Sequence, residues 1–378
     1  MSLKTVVFLS NYFNHHQKSF SEYMHNSLGD GYKFIETEPM SEERVKMGWN
    51  VENFPPYVIT SEEYEHSKEK CVELVKNADI VIIGSAPEWL IEERKKEKKL
   101  VFRYQERPLK NGFQPLKYFT RKIKWKKKNP KNCPIYMLCA SAYTAPDYAK
   151  FGLFKNKCFK WGYFPERINY EDVSQLIKEK EQNSIIWVGR FIDWKHPEGA
   201  ILLAKALKKD GYNFKIRMIG NGIMLDEIKK MATQYQVDDC VEFLGAMTPE
   251  EVRKYMEKSE IHIFTSDRKE GWGAVLNESM NSACVPVASH EIGSVPYLIE
   301  SEKNGLIYKS KNNNDLYKNV RYLLNHQDER IKMAVQSYET IANEWNAEIA
   351  AERLLRLFSN MVESNTMIEI SSGPISKG

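Results

Sequence analysis

The sequence predicts an α/β protein made of two doubly wound parallel sheets, each with its own domain. Three observations predict it. Apolar runs of strand length alternate with amphipathic stretches of helical period along most of the chain, and such alternation makes parallel sheets covered by helices on both faces. The alternation comes in two series, separated at residues 159–180 by Gly162, Pro165 and a charged run. The chain has 378 residues, 42% of them hydrophobic, a length that favours two cores over one.

Residues 5–10, 79–84, 100–104 and 135–139 read as strands of the first series. Residues 184–188, 214–219, 241–244, 261–265 and 285–289 read as strands of the second. Between the later strands, residues 197–210, 224–235 and 249–258 carry apolar side chains at helical spacing. The expected boundary falls near Phe164, giving domains of 1–163 and 164–345. Residues 346–363 read as one helix with Ile349, Leu354, Leu355, Leu357 and Phe358 on its apolar side. Residues 364–378 end in Ser-Ser-Gly-Pro-Ile-Ser-Lys-Gly and read as a flexible tail.

Net charge is only +4, but it is unevenly spread: residues 92–132 hold 16 Lys/Arg against 4 Asp/Glu, and the rest is slightly acidic. The six cysteines form no C-x-x-C pair, so a reducing compartment is expected. The first apolar run, Val6 to Leu9, is too short for a secretory core, and no later run has the length of a membrane span. The expected location is the cytoplasm, with docking on the inner face of the cytoplasmic membrane.

Doubly wound sheets bind ligands outside the carboxyl ends of their strands. Three motifs stand there. Gly189-Arg190 ends a strand and Lys195 precedes a helix opened by Pro197. Arginine forks onto phosphate oxygens, lysine adds a point charge, and a helix start adds amides and a positive dipole end. The competing reading is two solvated surface cations. Glu270-Gly271-Trp272-Gly273 follows a later strand, and Glu278 lies eight residues after Glu270. Glycines admit a ligand to bare amides, and carboxylates suit sugar hydroxyls; the competing reading is a solvated helix residue at Glu278 and a helix N-terminal acid at Glu270. Gly220-Asn221-Gly222 follows another strand and serves equally as a tight turn.

Taken in order from 184 to 305, these motifs resemble the second half of the GT4 family of retaining glycosyltransferases, which have the GT-B fold: two Rossmann-like domains facing a cleft, with a C-terminal helix crossing back to the first. Trp345, near the start of the last helix, is similar to that pattern too. The resemblance implies that Arg190 and Lys195 hold the donor diphosphate and that Glu270 binds hydroxyls of the donor sugar, these three being the catalytic set. It implies that Gly189, Asn221, Gly271, Trp272, Gly273, Asn277 and Glu278 bind the donor, Glu278 at the ribose. Gly245, Ala246 and Met247 would lie near the base. The first half departs from the family pattern. Asn11 to Gln17 replaces a glycine-rich loop, and Tyr104-Gln105-Glu106-Arg107 stands where a histidine is common. His15, His16, Gln105 and Glu106 are the remaining candidates for cleft or acceptor contacts.

The implied activity is metal-independent transfer of a hexose from a UDP- or GDP-sugar to a glycan or lipid-linked acceptor, in capsule, lipopolysaccharide or exopolysaccharide assembly. No cofactor is expected. No Asp-x-Asp for a divalent metal is present, and only His15 and His16 are adjacent among eight histidines. The alternatives are a sugar-nucleotide epimerase or phosphorylase of the same fold, or a non-catalytic nucleotide-sugar binder at the membrane. Residues 114–131 alternate cations with Leu116, Tyr118, Phe119, Ile123 and Trp125. That pattern suits an anionic membrane surface, or a solvated helix with its apolar side on the core. Nothing else in the chain resembles a nucleic-acid module.

Overall fold

The computed structural model describes residues 3–46, 53–364 and 366–378. The chain divides into two compact units, Met1–Glu166 with Asn346–Gly378, and Arg167–Trp345. The first break thus falls a few residues beyond the expected 163/164.

In the first unit seven parallel strands run in the order β3-β2-β1-β4-β5-β6-β7. They are β1 (Val6–Ser10), β2 (Tyr32–Glu36), β3 (Val58–Ile59), β4 (Ile80–Ile83), β5 (Val101–Gln105), β6 (Ile135–Cys139) and β7 (Cys158–Lys160). β1 and β4 are buried along their whole length, as strands covered on both faces must be. The order reverses between β1 and β4, so the carboxyl ends of these strands border the switch point.

The second unit has six parallel strands in the order β10-β9-β8-β11-β12-β13. They are β8 (Ser184–Val188), β9 (Lys215–Ile219), β10 (Val241–Gly245), β11 (Ile261–Phe264), β12 (Val285–Ser289) and β13 (Leu306–Tyr308). Its core packs Ile185, Ile216, Ile263 and Val287 from the sheet against Ile201, Leu203 and Leu207 of the Glu198–Lys209 helix. Its switch point lies between β8 and β11.

The Ala347–Glu363 helix returns to the first unit, where Phe358 meets Phe102 of β5 at 4.7 Å. Asn346 caps it by accepting a hydrogen bond from the Ile349 amide. The expectation of a flexible tail at 364–378 is corrected for its end. Ile375 donates its amide to the Lys160 carbonyl, Lys160 donates to Ser376, and Gly378 donates to Cys158. Arg353 holds the Ser372 and Pro374 carbonyls. Composition had suggested disorder, but the segment finishes the open edge of β7 with backbone hydrogen bonds and buries Ile375. All six cysteines are free thiols, five of them buried. Among the described residues no helix is long and apolar enough to cross a membrane.

Candidate active site

The two loops after β8 and β9 are locked together through backbone. Gly189 donates to the Ile219 carbonyl, Phe191 to Asn221, Met224 to Phe191, and Gly220 to Gly245. Gly220 has φ +135°, and a Cβ there would stand 1.9 Å from the Gly189 carbonyl oxygen. Gly222 has φ +155°, and its Cβ would stand 2.5 Å from the Phe191 oxygen. Gly220-Asn221-Gly222 is therefore more than a turn, because only glycine lets the two loops approach this closely.

The loop carrying Arg190 and Lys195 is tied to the end of β11. Buried Trp187 donates Nε1 to Thr265 Oγ1 at 2.8 Å, and Thr265 donates to the Lys195 carbonyl at 2.7 Å. This brings Lys195 Nζ onto Glu270 Oε2, an ion pair whose side chains are only 13% and 11% exposed. Ser266 Oγ donates to the same carboxylate at 3.0 Å. Arg190 is exposed, and its guanidinium lies 5.7 Å from the Trp194 ring centre; the Lys195 ammonium lies 4.8 Å from that ring. Trp194 and Ser266 carried no signal in the sequence, since neither sits in a recognisable spacing. Beside them, His196 pairs with Glu198 at 2.7 Å and Asp267 at 3.4 Å. The Glu198 hydrogen bond raises the His196 pKa above its ordinary value against the opposing effect of burial.

Gly273 has φ +87°, and a Cβ there would meet the Phe264 ring at 2.5 Å. Trp272 and Asn277 are buried and bond to each other, Nε1 to Oδ1 at 2.9 Å. Their side chains brace the loop from within. Glu278 sits in the Val275–Asn281 helix, where burial raises its pKa and nearby Arg253 opposes the rise. Gly245, Ala246 and Met247 follow β10. Val188, Leu244, Met247 and Val275 lie half-buried over Ile186 and Ile219, an apolar seat at the strand ends. Behind the seat His262 is fully buried, with Ser279 Oγ 2.7 Å from its Nδ1; burial, with Lys195 adding to it, pushes its pKa down to about 3.

In the first unit His15 and His16 open the His15–Leu28 helix, their rings 3.8 Å apart. The His16 ring stacks on Tyr163 at 5.9 Å, and the Tyr163 hydroxyl donates to Glu106 Oε1 at 2.6 Å. Tyr163 thus links two candidates that sequence spacing leaves unrelated. Gln105 accepts a hydrogen bond from the Tyr148 hydroxyl. Next to these residues, Asn11, Glu38, Glu88, Arg103, Gln105 and Lys128 help line a polar cavity of about 390 Å³. Arg103 forks onto Glu88, with bonds of 2.6 and 3.1 Å. Burial alone would raise the Glu88 pKa, but Arg103 and Lys95 hold it below the usual value.

The class these units define is that of proteins of GT-B architecture, with two doubly wound parallel-sheet domains. The chain matches Anabaena HepE solved with UDP at a TM-score of 0.70, with 12% identity, over 94% of this chain and 100% of that one. It matches a Rickettsia africae glycosyltransferase structure at 0.67 and 13% identity, over 97% and 100%. Residues 170–340, nearly all of the second unit, match the model of the family described as glycosyl transferases group 1. Among curated relatives, the amylovoran biosynthesis glycosyltransferase AmsK of Erwinia amylovora is 24% identical over 53% of this chain and 50% of its own length. The poly(ribitol-phosphate) α-N-acetylglucosaminyltransferase of Staphylococcus aureus is 26% identical over 51% and 38%. The chain spans about half the length or less of these curated relatives.

Proposed function

We propose that this protein moves a hexose, with retention and without a metal, from a UDP- or GDP-sugar to a glycan or lipid-linked acceptor in the assembly of a bacterial surface polysaccharide or glycolipid. The observation that carries the reading is the Lys195–Glu270 pair, held at the ends of β8 and β11 beside Arg190. A phosphate-binding cation and a hydroxyl-binding carboxylate in contact suit the junction between a diphosphate and its sugar. The relatives named for amylovoran and colanic acid biosynthesis support the product class. The neighbour solved with UDP and glucose supports the donor class.

In this reading the bond from the anomeric carbon to the phosphate oxygen breaks as the acceptor hydroxyl oxygen bonds to the same face. The hydroxyl proton passes to the departing diphosphate. Arg190 and Lys195 stabilise the negative charge that builds there, supplying what a metal would otherwise supply. Glu270 keeps Lys195 in place and accepts hydrogen bonds from donor hydroxyls. Glu278 receives the ribose, and the seat of Val188, Leu244, Met247 and Val275 receives the base. The acceptor enters through the polar cavity of the first unit, where His16, Tyr163 and Glu106 line the approach.

The test is calorimetric binding of UDP, GDP and ADP to wild type and Arg190→Ala with EDTA present, followed by donor turnover with and without acceptor. One nucleotide should bind, more weakly to the variant, and be released only when an acceptor is present. Binding abolished by EDTA removes the metal-free claim. Donor conversion without acceptor would transfer the reading to an epimerase, and binding without turnover to a non-catalytic binder.

A further inference from the structure

The Tyr118–Lys128 helix of the first unit has two unlike faces. On one, Tyr118 stacks on Phe151 at 5.2 Å, and Trp125 meets Phe151 at 4.6 Å and Tyr148 at 5.1 Å. That face explains how the helix is held. On the other, Phe119 and Ile123 are 73% and 70% exposed, and Leu116 in the preceding turn is 98% exposed. Positions 116, 119 and 123 follow the spacing of a single helical stripe. Exposed Lys117, Lys124, Lys126 and Lys127 surround it. Residues 114–131 hold eight Lys/Arg and no Asp or Glu.

Folding gains nothing from this outer face, since three large apolar side chains remain in water. A solvated helix would not need them. Nucleic acid would use the cations and stack on Phe119, but Leu116 and Ile123 have no ring to stack with. A lipid surface uses both kinds of side chain: acyl chains take the apolar stripe and anionic headgroups take the lysines. The same helix ends at Lys128, which lines the polar cavity at the ends of β1, β4 and β5, with its Nζ 3.7 Å from Glu88.

We propose that this face docks on an anionic phospholipid bilayer, and that the acceptor reaches the cavity from that surface as an amphiphile. The second part rests on the sugar-transfer reading; the docking does not. Lysine contributes about fivefold per residue near an anionic surface, so three of them are worth ~10²-fold.

The test is co-sedimentation with vesicles of phosphatidylcholine, with and without phosphatidylglycerol, at low salt and with no nucleotide or sugar. The full chain should bind only the anionic vesicles. The variant Lys124→Gln/Lys126→Gln/Lys127→Gln should bind ~10²-fold more weakly. The variant Leu116→Ser/Phe119→Ser/Ile123→Ser should also bind at least ~10-fold more weakly. Both should keep the wild-type melting temperature, because the altered side chains are exposed. Absence of wild-type binding overturns the proposal, as does an apolar variant that binds like wild type. Tighter binding of a single-stranded oligonucleotide than of the vesicles reassigns the face to nucleic acid and overturns it too. Failure here leaves donor binding and turnover untouched, so the two readings fall separately.

Discussion

A Cβ on Gly220 would stand 1.9 Å from the carbonyl oxygen of Gly189. The loop that carries Arg190 is thus set by direct backbone contact with the loop after β9. Gly220→Ala should cost about 3 kcal/mol or more, combining overpacking with a φ that disfavours a side chain. Thermal unfolding should then shift down by roughly 6–12 °C for a unit of this size. Gly211 is the control: its φ is +77° but nothing lies within 4 Å of a Cβ. Gly211→Ala should cost only the backbone strain, about 1–2 kcal/mol. Equal shifts for the two variants would remove the interlocking argument.

Arg190 and Lys195 should separate stability from activity. Arg190 is exposed, so Arg190→Ala should hold its stability within about 0.5 kcal/mol. Its turnover should still fall by ~10²–10³, the loss expected for one transition-state donor. Lys195→Met leaves the Glu270 carboxylate with Ser266 but without its cation, and should destabilise by about 1–3 kcal/mol. The double variant Lys195→Met/Glu270→Gln should recover much of that stability and none of the turnover. Recovery of turnover in the double variant would show that the pair is structural.

His262 should make stability depend on pH in a defined window. Its pKa falls from 6.5 to about 3 on folding. Above pH 6.5 neither state is protonated there and the contribution is complete. As pH falls toward 3, the unfolded chain takes up a proton that the folded one refuses, so stability is lost, at up to about 1.4 kcal/mol per pH unit. His262→Gln, which can still bond Ser279, should flatten the wild-type slope between pH 6 and pH 4 in melting temperatures measured across that range. Parallel slopes in wild type and variant would contradict it.

The strands most legible in the sequence were those with unbroken apolar runs. β6, β8 and β12 match the expected bounds, and β1, β4, β5, β9, β10 and β11 differ by a residue at one or both ends. β3, β7 and β13 were missed because they are two or three residues long and lie at sheet edges. β2 was missed because it contains Lys33 and ends in Glu36, a buried carboxylate that accepts from the Phe13 and Ser61 amides. No local pattern announces a charge satisfied from 23 and 25 residues away. The same holds in the site. Lys195 and Glu270 were each legible as candidates, but their contact spans 75 residues and is made by the sheet. Tyr163 was invisible for a related reason: its partners His16 and Glu106 come from different strand ends.

Each unit also contains a buried cation that collects several backbone carbonyls among the described residues. Arg94, fully buried, donates to the carbonyls of Val75, Lys76, Ala78, Asp79 and Leu100, and burial pushes its pKa down to about 10. Lys180 donates to those of Met256, Glu257, Ser259 and Ser282 at 2.8–3.1 Å, and burial lowers its pKa too. Arginine's planar fork spreads its donors over two separate terminal nitrogens, here Nη1 and Nη2, and so reaches carbonyls on different segments at once, whereas an ammonium presents all its donors from one atom. Arg94→Lys should therefore fail to replace arginine, although it keeps the charge. Arg94→Met and Lys180→Met leave several carbonyls buried and unpaired, at 1–3 kcal/mol each before relaxation, so each should cost at least ~3 kcal/mol. Scanning calorimetry of the three variants checks this, and a wild-type melting profile for Arg94→Lys would refute the fork argument. The expected result is a large loss for both methionine variants, with Arg94→Lys between wild type and Arg94→Met.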